Sequence, residues 1–271
     1  MDSQLEQFKE YLESAKKMAA NSVAAYMRDA GEFVFFLTNE TDEGARGPES
    51  AGQADVAAYL LKLKQDGKSA ATVRRKLASV RAFYRFLQSS GGIKANPAGD
   101  IKTPKAERKD IDFLSVEEME KLIEQPDKSA KGVRDRAILE LLYAAGLRIS
   151  EAVELDVESV NLRMGFVTCA GGRGKTRIIP LGRPARTALE EYIYGGRAKL
   201  LRSGERDEPA LFLNCHGGRM TRQGIWKTLN EYAERAGFER KVAPQIIRNS
   251  FAVHMVQNGA DLKSLQEMMG H

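Results

Sequence analysis

Residues 134–151, RDRAILELLYAAGLRISE, contain the pattern on which the fold prediction depends. The apolar first part predicts a helix from Arg134 to Ala145, and Gly146 is the residue type that most often ends a helix. Arg148 follows the glycine, and Glu151 lies three residues later, within reach of the arginine at helical spacing. A surface ion pair is one interpretation of this arginine and carboxylate. The other is a guanidinium that its neighbour holds in place for function.

Around this helix, the C-terminal half is predicted to be mainly α-helical with one small β-hairpin. Ser115 and Glu118 form a capping-box pattern that opens an earlier helix. In residues 165–180, GFVTCAGGRGKTRIIP, β-branched and apolar pieces flank a glycine-rich basic turn, which predicts the hairpin. Helical periodicity resumes after Pro184, and the last two helices are expected at residues 246–258 and 262–269.

The N-terminal half is predicted to be helical as well. Two helices are expected between residues 5 and 37, a third from residue 56 to 63 and a fourth from residue 69 to 87. Residues 100–112, DIKTPKAERKDID, are polar and charged and have no periodicity, which is typical of a linker. We therefore expect an N-terminal helical domain at residues 1–101, a linker at 102–112 and a second domain at 113–271.

Positive charge is concentrated in the fourth helix and the linker. Between Lys68 and Lys109, eleven Lys and Arg residues stand against two acids, a local net charge of +9 in a chain whose total formal charge is +5. A solvated basic face is the plain alternative, but this concentration favours a polyanion, and nucleic acid is the leading candidate. The residues of this helix expected to bind the nucleic acid are Arg74, Arg75, Lys76, Arg81 and Arg85.

Composition argues against several other classes of protein. The chain has no apolar run of about eighteen residues, and its N-terminus lacks the basic and then apolar order of a signal peptide, so we expect a cytoplasmic, nucleoid-associated protein with no membrane contact. Cys169 and Cys215 have no metal-binding spacing, and the three histidines are scattered. We therefore expect no disulfide framework and no structural metal.

Two further segments complete a recognisable order of motifs. Residues 244–254 read PQIIRNSFAVH, with Arg248 at the centre, and residues 259–271 read GADLKSLQEMMGH. Together with the Arg148 segment they resemble the tyrosine recombinase (phage integrase) family, and most of all its Xer-type members. The basic helix at 69–87, TRQGIW at 221–226 and PLG at 180–182 extend the resemblance over nearly the whole chain.

The resemblance implies a mainly α fold with a small β-sheet or hairpin in the C-terminal domain, built as a two-domain clamp around double-stranded DNA. A SAM-like core-binding domain comes first and the catalytic domain second. Four protomers, either identical or including a related recombinase, are implied to join two DNA sites. The resemblance also implies a reaction in which a tyrosine attacks a backbone phosphate, a 3′-phosphotyrosyl intermediate forms and the 5′-hydroxyl leaves. The implied reaction needs no metal and no cofactor.

Site residues follow from the positions of the motifs. Arg148 and Arg248 are implied to hold the phosphate, because a guanidinium presents paired donors and stays protonated. Glu151 is implied to support Arg148, and His271 to hydrogen-bond the same phosphate. Arg222, in the TRQGIW segment, and Arg173, in the hairpin turn, join the residues expected to bind DNA.

The sequence departs from the family pattern at two positions within its motifs. Gln245 replaces the usual histidine three residues before Arg248, and glutamine donates a hydrogen bond but does not titrate near neutrality. Gly172 stands at the position of the hairpin lysine that protonates the leaving hydroxyl. Lys175 is the first candidate to replace that lysine and Arg173 the second, although arginine is a poor proton donor. The third possibility is that the chain has no equivalent of this lysine.

The family's nucleophilic tyrosine is expected beyond His271, so the catalytic domain is expected to be truncated and this chain inactive as given. Three hypotheses follow: a recombinase active in its full-length form, a catalytically degenerate relative that binds and synapses DNA, and a helical protein-interaction module. The target DNA sequence and the biological role do not follow from the sequence, because base contacts depend on which side chains enter the groove.

Overall fold

The computed structural model describes residues 2–40, 46–103, 110–170, 176–201 and 208–270. The chain divides into two compact units, Met1–Lys109 and Asp110–His271, and each unit has its own hydrophobic core. The division falls inside the segment 102–112. Among the described residues, no helix combines the length and the apolar character that crossing a membrane requires.

The first unit is entirely helical in its described part. Its helices pack around an aromatic core in which edge-to-face contacts recur, as aromatic quadrupoles favour. Ser69 caps the basic helix by accepting a hydrogen bond from the backbone N–H of Thr72 at 3.2 Å. The helices are α1 (Asp2–Glu10), continued by a π-helical turn at Tyr11–Ala15, α2 (Ala20–Asn39), α3 (Gln53–Gln65) and α4 (Ala70–Ser89).

The second unit is built around one helix, α6 (Ala130–Ala145), whose apolar residues from Ala137 to Ala145 are buried except for the half-buried Tyr143 and Ala144. Helix α6 packs against α8 and α11. The other helices of this unit are α5 (Val116–Ile123), α7 (Ile149–Glu154), α8 (Arg183–Glu191), α9 (Arg197–Leu200), α10 (Arg222–Arg235), α11 (Pro244–Gln257) and α12 (Leu262–Met269).

A small antiparallel sheet completes the second unit, in the order β1 (Val160–Asn161), β2 (Phe166–Ala170) and β3 (Thr176–Pro180). Strands β2 and β3 form the predicted hairpin, with Val167 opposite Ile179 and Cys169 opposite Arg177. Strand β1 was not predicted, because two residues are too few to show a period. The predicted fold class, mainly α with a small sheet in the C-terminal part, is confirmed.

Local sequence signals set several helix ends as expected. Ser115 and Glu118 make the predicted capping box at the start of α5. Gly146 ends α6 in the left-handed conformation, with φ of 54°, and a Cβ at this position would overlap the ring of Phe251. Helix α11 begins two residues earlier than predicted, because Pro244 fits the first turn, where no intrahelical N–H bond is needed.

Candidate functional site

Arg148 is positioned by the glycine stop and by Glu151. After Gly146 the chain turns, and Arg148 becomes the N-cap residue of α7. One oxygen of the Glu151 carboxylate accepts from the Arg148 backbone N–H at 2.7 Å, and the other accepts from the Arg148 guanidinium at 3.0 Å. The Arg148 side chain is 41% exposed. The predicted contact between Arg148 and Glu151 is therefore present, and the arginine still faces solvent.

Arg177, on β3, also contacts Glu151, and no motif in the sequence predicted this residue. Its guanidinium donates to both oxygens of Glu151, at 3.0 and 2.8 Å, and its Nε donates to the carbonyl of Met268 at 2.8 Å. The available signal was alternation along β3, since Arg177 lies two residues before the buried Ile179 and so on the same face. Sequence did not reveal whether Ile178 or Ile179 points inward.

Arg248, on α11, is almost fully buried, with 3% of its surface exposed. Its guanidinium donates to the carbonyl of Gly146 and, at 2.6 Å, to the carbonyl of Met269. Burial, and then the nearby guanidinium of Arg148, lower the pKa of Arg248 to about 10. The residue therefore remains a cation at neutral pH.

The last turn of α12 is where the three arginines meet. The carbonyls of Met268, Met269 and Gly270 accept from Arg177, Arg248 and Arg148, in that order, the last at 3.3 Å. These are the carbonyls that a helix leaves without an intrahelical partner. Three cations from β3, α11 and the start of α7 are thus held together at the helix end that immediately precedes His271.

A cleft of about 630 Å³ opens beside Arg148. It is lined by the first turns of α7, α10 and α11, whose N–H groups are the positive ends of their helices. Three predicted site residues, Arg148, Arg222 and Gln245, lie in its wall together with Trp226. Gln245 is exposed and donates to Asn249 at 2.9 Å. The cleft combines cations, an amide and an apolar surface, which suits a sugar-phosphate backbone.

Several predicted residues fall outside the described part of the chain: Gly172, Arg173, Lys175 and His271. His254 shares a hydrogen bond of 2.8 Å between its Nδ1 and the Tyr143 hydroxyl, and it packs edge-on against Phe113. Among the described residues, no group of three or more His, Cys, Asp or Glu side chains is placed to hold a metal ion.

The basic helix α4 presents fewer free cations than its sequence implies. Arg74 and Arg85 are exposed. Arg81 donates to the carbonyls of Ala98 and Ile101 and, at 2.9 Å, to the hydroxyl of Thr103, so it anchors the segment that follows the helix. The sequence pattern of α4 does not show this role, because the partners of Arg81 lie beyond the end of the helix.

Lys76 requires a correction, because it lies inside the first unit with 4% of its surface exposed. Its ammonium pairs with Glu32 and, at 3.2 Å, with Asp29, which is fully buried. Asp29 also accepts from the guanidinium of Arg75 and, at 2.9 Å, from the Ser79 hydroxyl. We therefore leave Lys76 out of the DNA-binding set, and Arg75 has a structural partner as well.

Comparison with known families identifies the chain. A model described as the phage integrase family matches residues 112–271, which is more than half of the chain. The chain belongs to the phage integrase family. A second model, described as the phage integrase N-terminal SAM-like domain, matches residues 5–91 of this family member.

Relatives place the family member among the Xer-like tyrosine recombinases, as the motifs predicted. It is 39% identical over 272 residues to tyrosine recombinase XerD of Listeria monocytogenes serotype 4b (strain F2365), covering 100% of this chain and 91% of the relative. It is 42% identical over 271 residues to a putative tyrosine recombinase of Caldanaerobacter subterraneus subsp. tengcongensis, covering 100% and 90%. Tyrosine recombinase XerC of Roseiflexus sp. (strain RS-1) is 38% identical over 273 residues, covering 100% and 86%.

Solved structures of more distant members share the fold. A lambda integrase dimer bound to a COC' core site matches with a TM-score of 0.77 at 16% identity, covering 100% of this chain and 91% of that one. A lambda integrase tetramer bound to a Holliday junction matches with a TM-score of 0.78 at 17% identity, covering 100% and 74%. The crystal structure of XerA recombinase matches with a TM-score of 0.53 at 23% identity, covering 99% and 89%.

Proposed function

We propose that this tyrosine recombinase binds duplex DNA and cleaves and rejoins its strands at specific sites through a 3′-phosphotyrosyl intermediate. The observation that carries the proposal is the convergence of Arg148 and Arg248 beside a cleft whose wall is cationic. Family membership supplies the class of reaction. The convergence of the two arginines supports the proposal that one backbone phosphate contacts both guanidiniums.

The two arginines have the properties that the transition state requires. The tyrosine hydroxyl gives up its proton as its oxygen attacks phosphorus, one P–O bond forms and another breaks, and the 5′-oxygen leaves with its electron pair and takes up a proton. Negative charge grows on the nonbridging oxygens during this step, and fixed guanidiniums stabilise it without reorganisation. Arg148 is proposed to contact the phosphate from the cleft, and Arg248 from the buried side. The bond energy passes to the phosphotyrosine, so no cofactor is needed.

The remaining roles are proposed from motif position. Gln245, in the wall of the same cleft, donates a hydrogen bond to the phosphate in place of the usual histidine. Lys175 protonates the leaving hydroxyl, with Arg173 as the second candidate, and His271 hydrogen-bonds the phosphate. No tyrosine follows Tyr232 in the 271 residues, and we propose that the nucleophile lies after His271.

Duplex DNA and further protomers are the proposed partners. The lambda integrase structures hold a dimer on a core site and a tetramer on a Holliday junction. We assign the core-binding role to residues 1–101, the linker to 102–112 and catalysis to 113–271, acting as a tetramer on two sites in the cytoplasm, at the nucleoid. Of the predicted DNA-binding residues that the structure describes, Arg74, Arg75, Arg85 and Arg222 are exposed. Arg75 is paired with Asp29, so Arg74, Arg85 and Arg222 are proposed for the phosphate contacts.

A catalytically degenerate relative is the alternative, and the Gln245 and Gly172 exchanges favour it. A nicked duplex carrying the target site separates the two functions, because loss of the short 5′ product traps the covalent adduct. The coding sequence is extended until it includes the tyrosine. A DNA–protein adduct supports strand transfer. DNA binding with no adduct leaves the degenerate relative, and absence of DNA binding contradicts both.

Arg148→Ala is the matched variant for this experiment. It should lower cleavage by about 10²–10³-fold, the loss typical of one transition-state donor, while DNA affinity falls much less. Equal losses of binding and cleavage would contradict the assigned role, because they would mean that Arg148 contributes only to binding.

A further inference from the structure

Arg177 joins three elements of the site in one side chain. It lies on β3 and donates to both carboxylate oxygens of Glu151 on α7, and its Nε donates to the carbonyl of Met268 on α12. The Arg177 and Glu151 side chains are only 11% and 9% exposed. A bidentate pair at this depth has a defined geometry, unlike a mobile surface ion pair.

Glu151 is shared between Arg177 and Arg148. The same two oxygens that accept from Arg177 also accept from the backbone and the guanidinium of Arg148. Arg148 itself is 41% exposed, and its guanidinium is held by Glu151 at 3.0 Å and by the carbonyl of Gly270 at 3.3 Å, of which the charged partner is Glu151. The position of its guanidinium therefore depends on how firmly the Glu151 carboxylate is fixed, and Arg177 supplies two of the hydrogen bonds that fix it.

The end of α12 is shaped to fit the same arginine. Gly270 has a φ of 68°, and a Cβ on it would lie 2.9 Å from an Arg177 guanidinium nitrogen. Gly270, the residue that follows α12, therefore lies directly against the Arg177 guanidinium. A single guanidinium orients both the carboxylate that holds Arg148 and the helix end that precedes His271.

We propose that Arg177 is a positioning residue for strand transfer, which fixes Glu151 and through it the phosphate-contacting guanidinium of Arg148. This inference rests on the proposed function and adds to it a residue from outside the family motifs described above. Arg177 is not proposed to contact the DNA. Its guanidinium is occupied by Glu151 and by Met268.

The electrostatics of Glu151 give this role a signature in pH. Burial raises the pKa of Glu151, but hydrogen bonds from Arg177 and from the Arg148 backbone outweigh it, so the pKa lies below its ordinary value. The charged and titratable groups around Glu151 in the described residues are Arg148, Arg177, Arg248 and the Cys169 thiol. Removing Arg177 raises the pKa of Glu151, and protonated Glu151 loses its hold on Arg148 at a higher pH.

The test compares Arg177→Ala and Arg177→Lys with Arg197→Ala. Arg197 is a matched control because it is a partly buried arginine of the same unit that donates to the carbonyl of Ala210, away from the site. Cleavage of the nicked duplex by the tyrosine-containing recombinase should fall about 100-fold in Arg177→Ala, the cost of a displaced catalytic group. Arg177→Lys should recover part of the loss, because it keeps the charge without the paired donors.

The pH profile and a double variant separate positioning from simple destabilisation. In Arg177→Ala the acidic limb of the cleavage profile should move toward neutral pH, and in Arg197→Ala it should stay in place even if the melting temperature falls. Adding Arg177→Ala to Glu151→Gln should cause little further loss, because both changes act through one carboxylate. An unmoved acidic limb, or fully additive losses, would overturn the proposal.

A second measurement does not depend on DNA. Arg148 should react faster with an arginine-specific dicarbonyl in Arg177→Ala than in the unmodified chain, by about two- to fivefold, the release of one partly exposed ion pair. The peptide that carries Arg148 is quantified by mass spectrometry. An unchanged rate contradicts the positioning role even if cleavage is lost. A faster rate in a chain that neither binds nor cleaves DNA supports it and rejects the recombinase function instead.

Discussion

Replacing Asp29 with alanine should destabilise the first unit by about 3–5 kcal/mol, the cost of breaking a buried ion pair by removing one partner. Asp29 is fully buried, and its carboxylate accepts from Arg75, from Lys76 at 3.2 Å and from Ser79 at 2.9 Å. Without it, the Lys76 ammonium keeps only Glu32, whose side chain is 50% exposed.

The magnitude follows from what is left behind. The Lys76 side chain is 5% exposed, so its ammonium cannot turn to water to replace the lost partner. The Ser79 hydroxyl retains a longer hydrogen bond, to the Arg75 carbonyl at 3.3 Å. Lys76→Met should lower the free energy of unfolding by less than Asp29→Ala does, because Asp29 keeps its hydrogen bonds from Arg75 and Ser79. The Lys76→Met change should leave DNA affinity unchanged.

Urea unfolding measures the effect in the whole chain. The single tryptophan, Trp226, lies in the second unit, so its fluorescence follows that unit while far-ultraviolet circular dichroism follows both. The transition that Asp29→Ala shifts should appear in the dichroism and not in the fluorescence. Glu13→Ala, which breaks an exposed pair with Lys9, is the control and should cost no more than about 0.5 kcal/mol.

The pH dependence gives a sign that can be checked. Burial raises the pKa of Asp29, but hydrogen bonds from Arg75, Ser79 and Lys76 together lower it by more than burial raises it. The pKa of Asp29 in the folded state therefore lies below its pKa in the unfolded state. The carboxylate therefore stabilises the fold above its unfolded pKa, and this stabilisation is lost as pH falls through the folded pKa. The difference between Asp29→Ala and the unmodified chain should shrink in acid. A loss below about 1 kcal/mol at neutral pH would refute the reasoning.

Three other predictions concern the site and its surroundings. Gly146→Ala should lower the free energy of unfolding by about 2–5 kcal/mol in chemical denaturation, since it adds a left-handed residue and a clash with Phe251; a smaller change would mean that α6 can end elsewhere. Arg74→Ala or Arg85→Ala should each reduce the salt slope of DNA binding by about one in an anisotropy titration, and an unchanged slope would remove that residue from the interface. Cognate DNA should alter the fluorescence of Trp226, and an unaltered spectrum on saturated protein would place the DNA away from the cleft.

Sequence patterns predicted the parts of the fold that depend on near neighbours. The stop at Gly146 and the capping box at Ser115 are found where expected, and the helix predicted at 134–145 is present but begins earlier, at Ala130. Each depends on residues within about one helical turn, so the signal is present in the linear chain. The predicted hairpin is also present. The inward orientation of Arg177, however, depends on the register in which β3 pairs with β2, which the sequence did not reveal.

The candidate site divides in the same way. The sequence by itself determined the family, the pair Arg148 and Arg248 and the contact of Arg148 with Glu151, because these rest on residue identity and short spacing. Only the tertiary structure decided which cations are available to a ligand. Lys76 meets Asp29 across 47 residues and Arg177 meets Glu151 across 26. Burial and pairing depend on distance in space, so no local pattern distinguishes a lysine that reaches solvent from one that neutralises a buried acid.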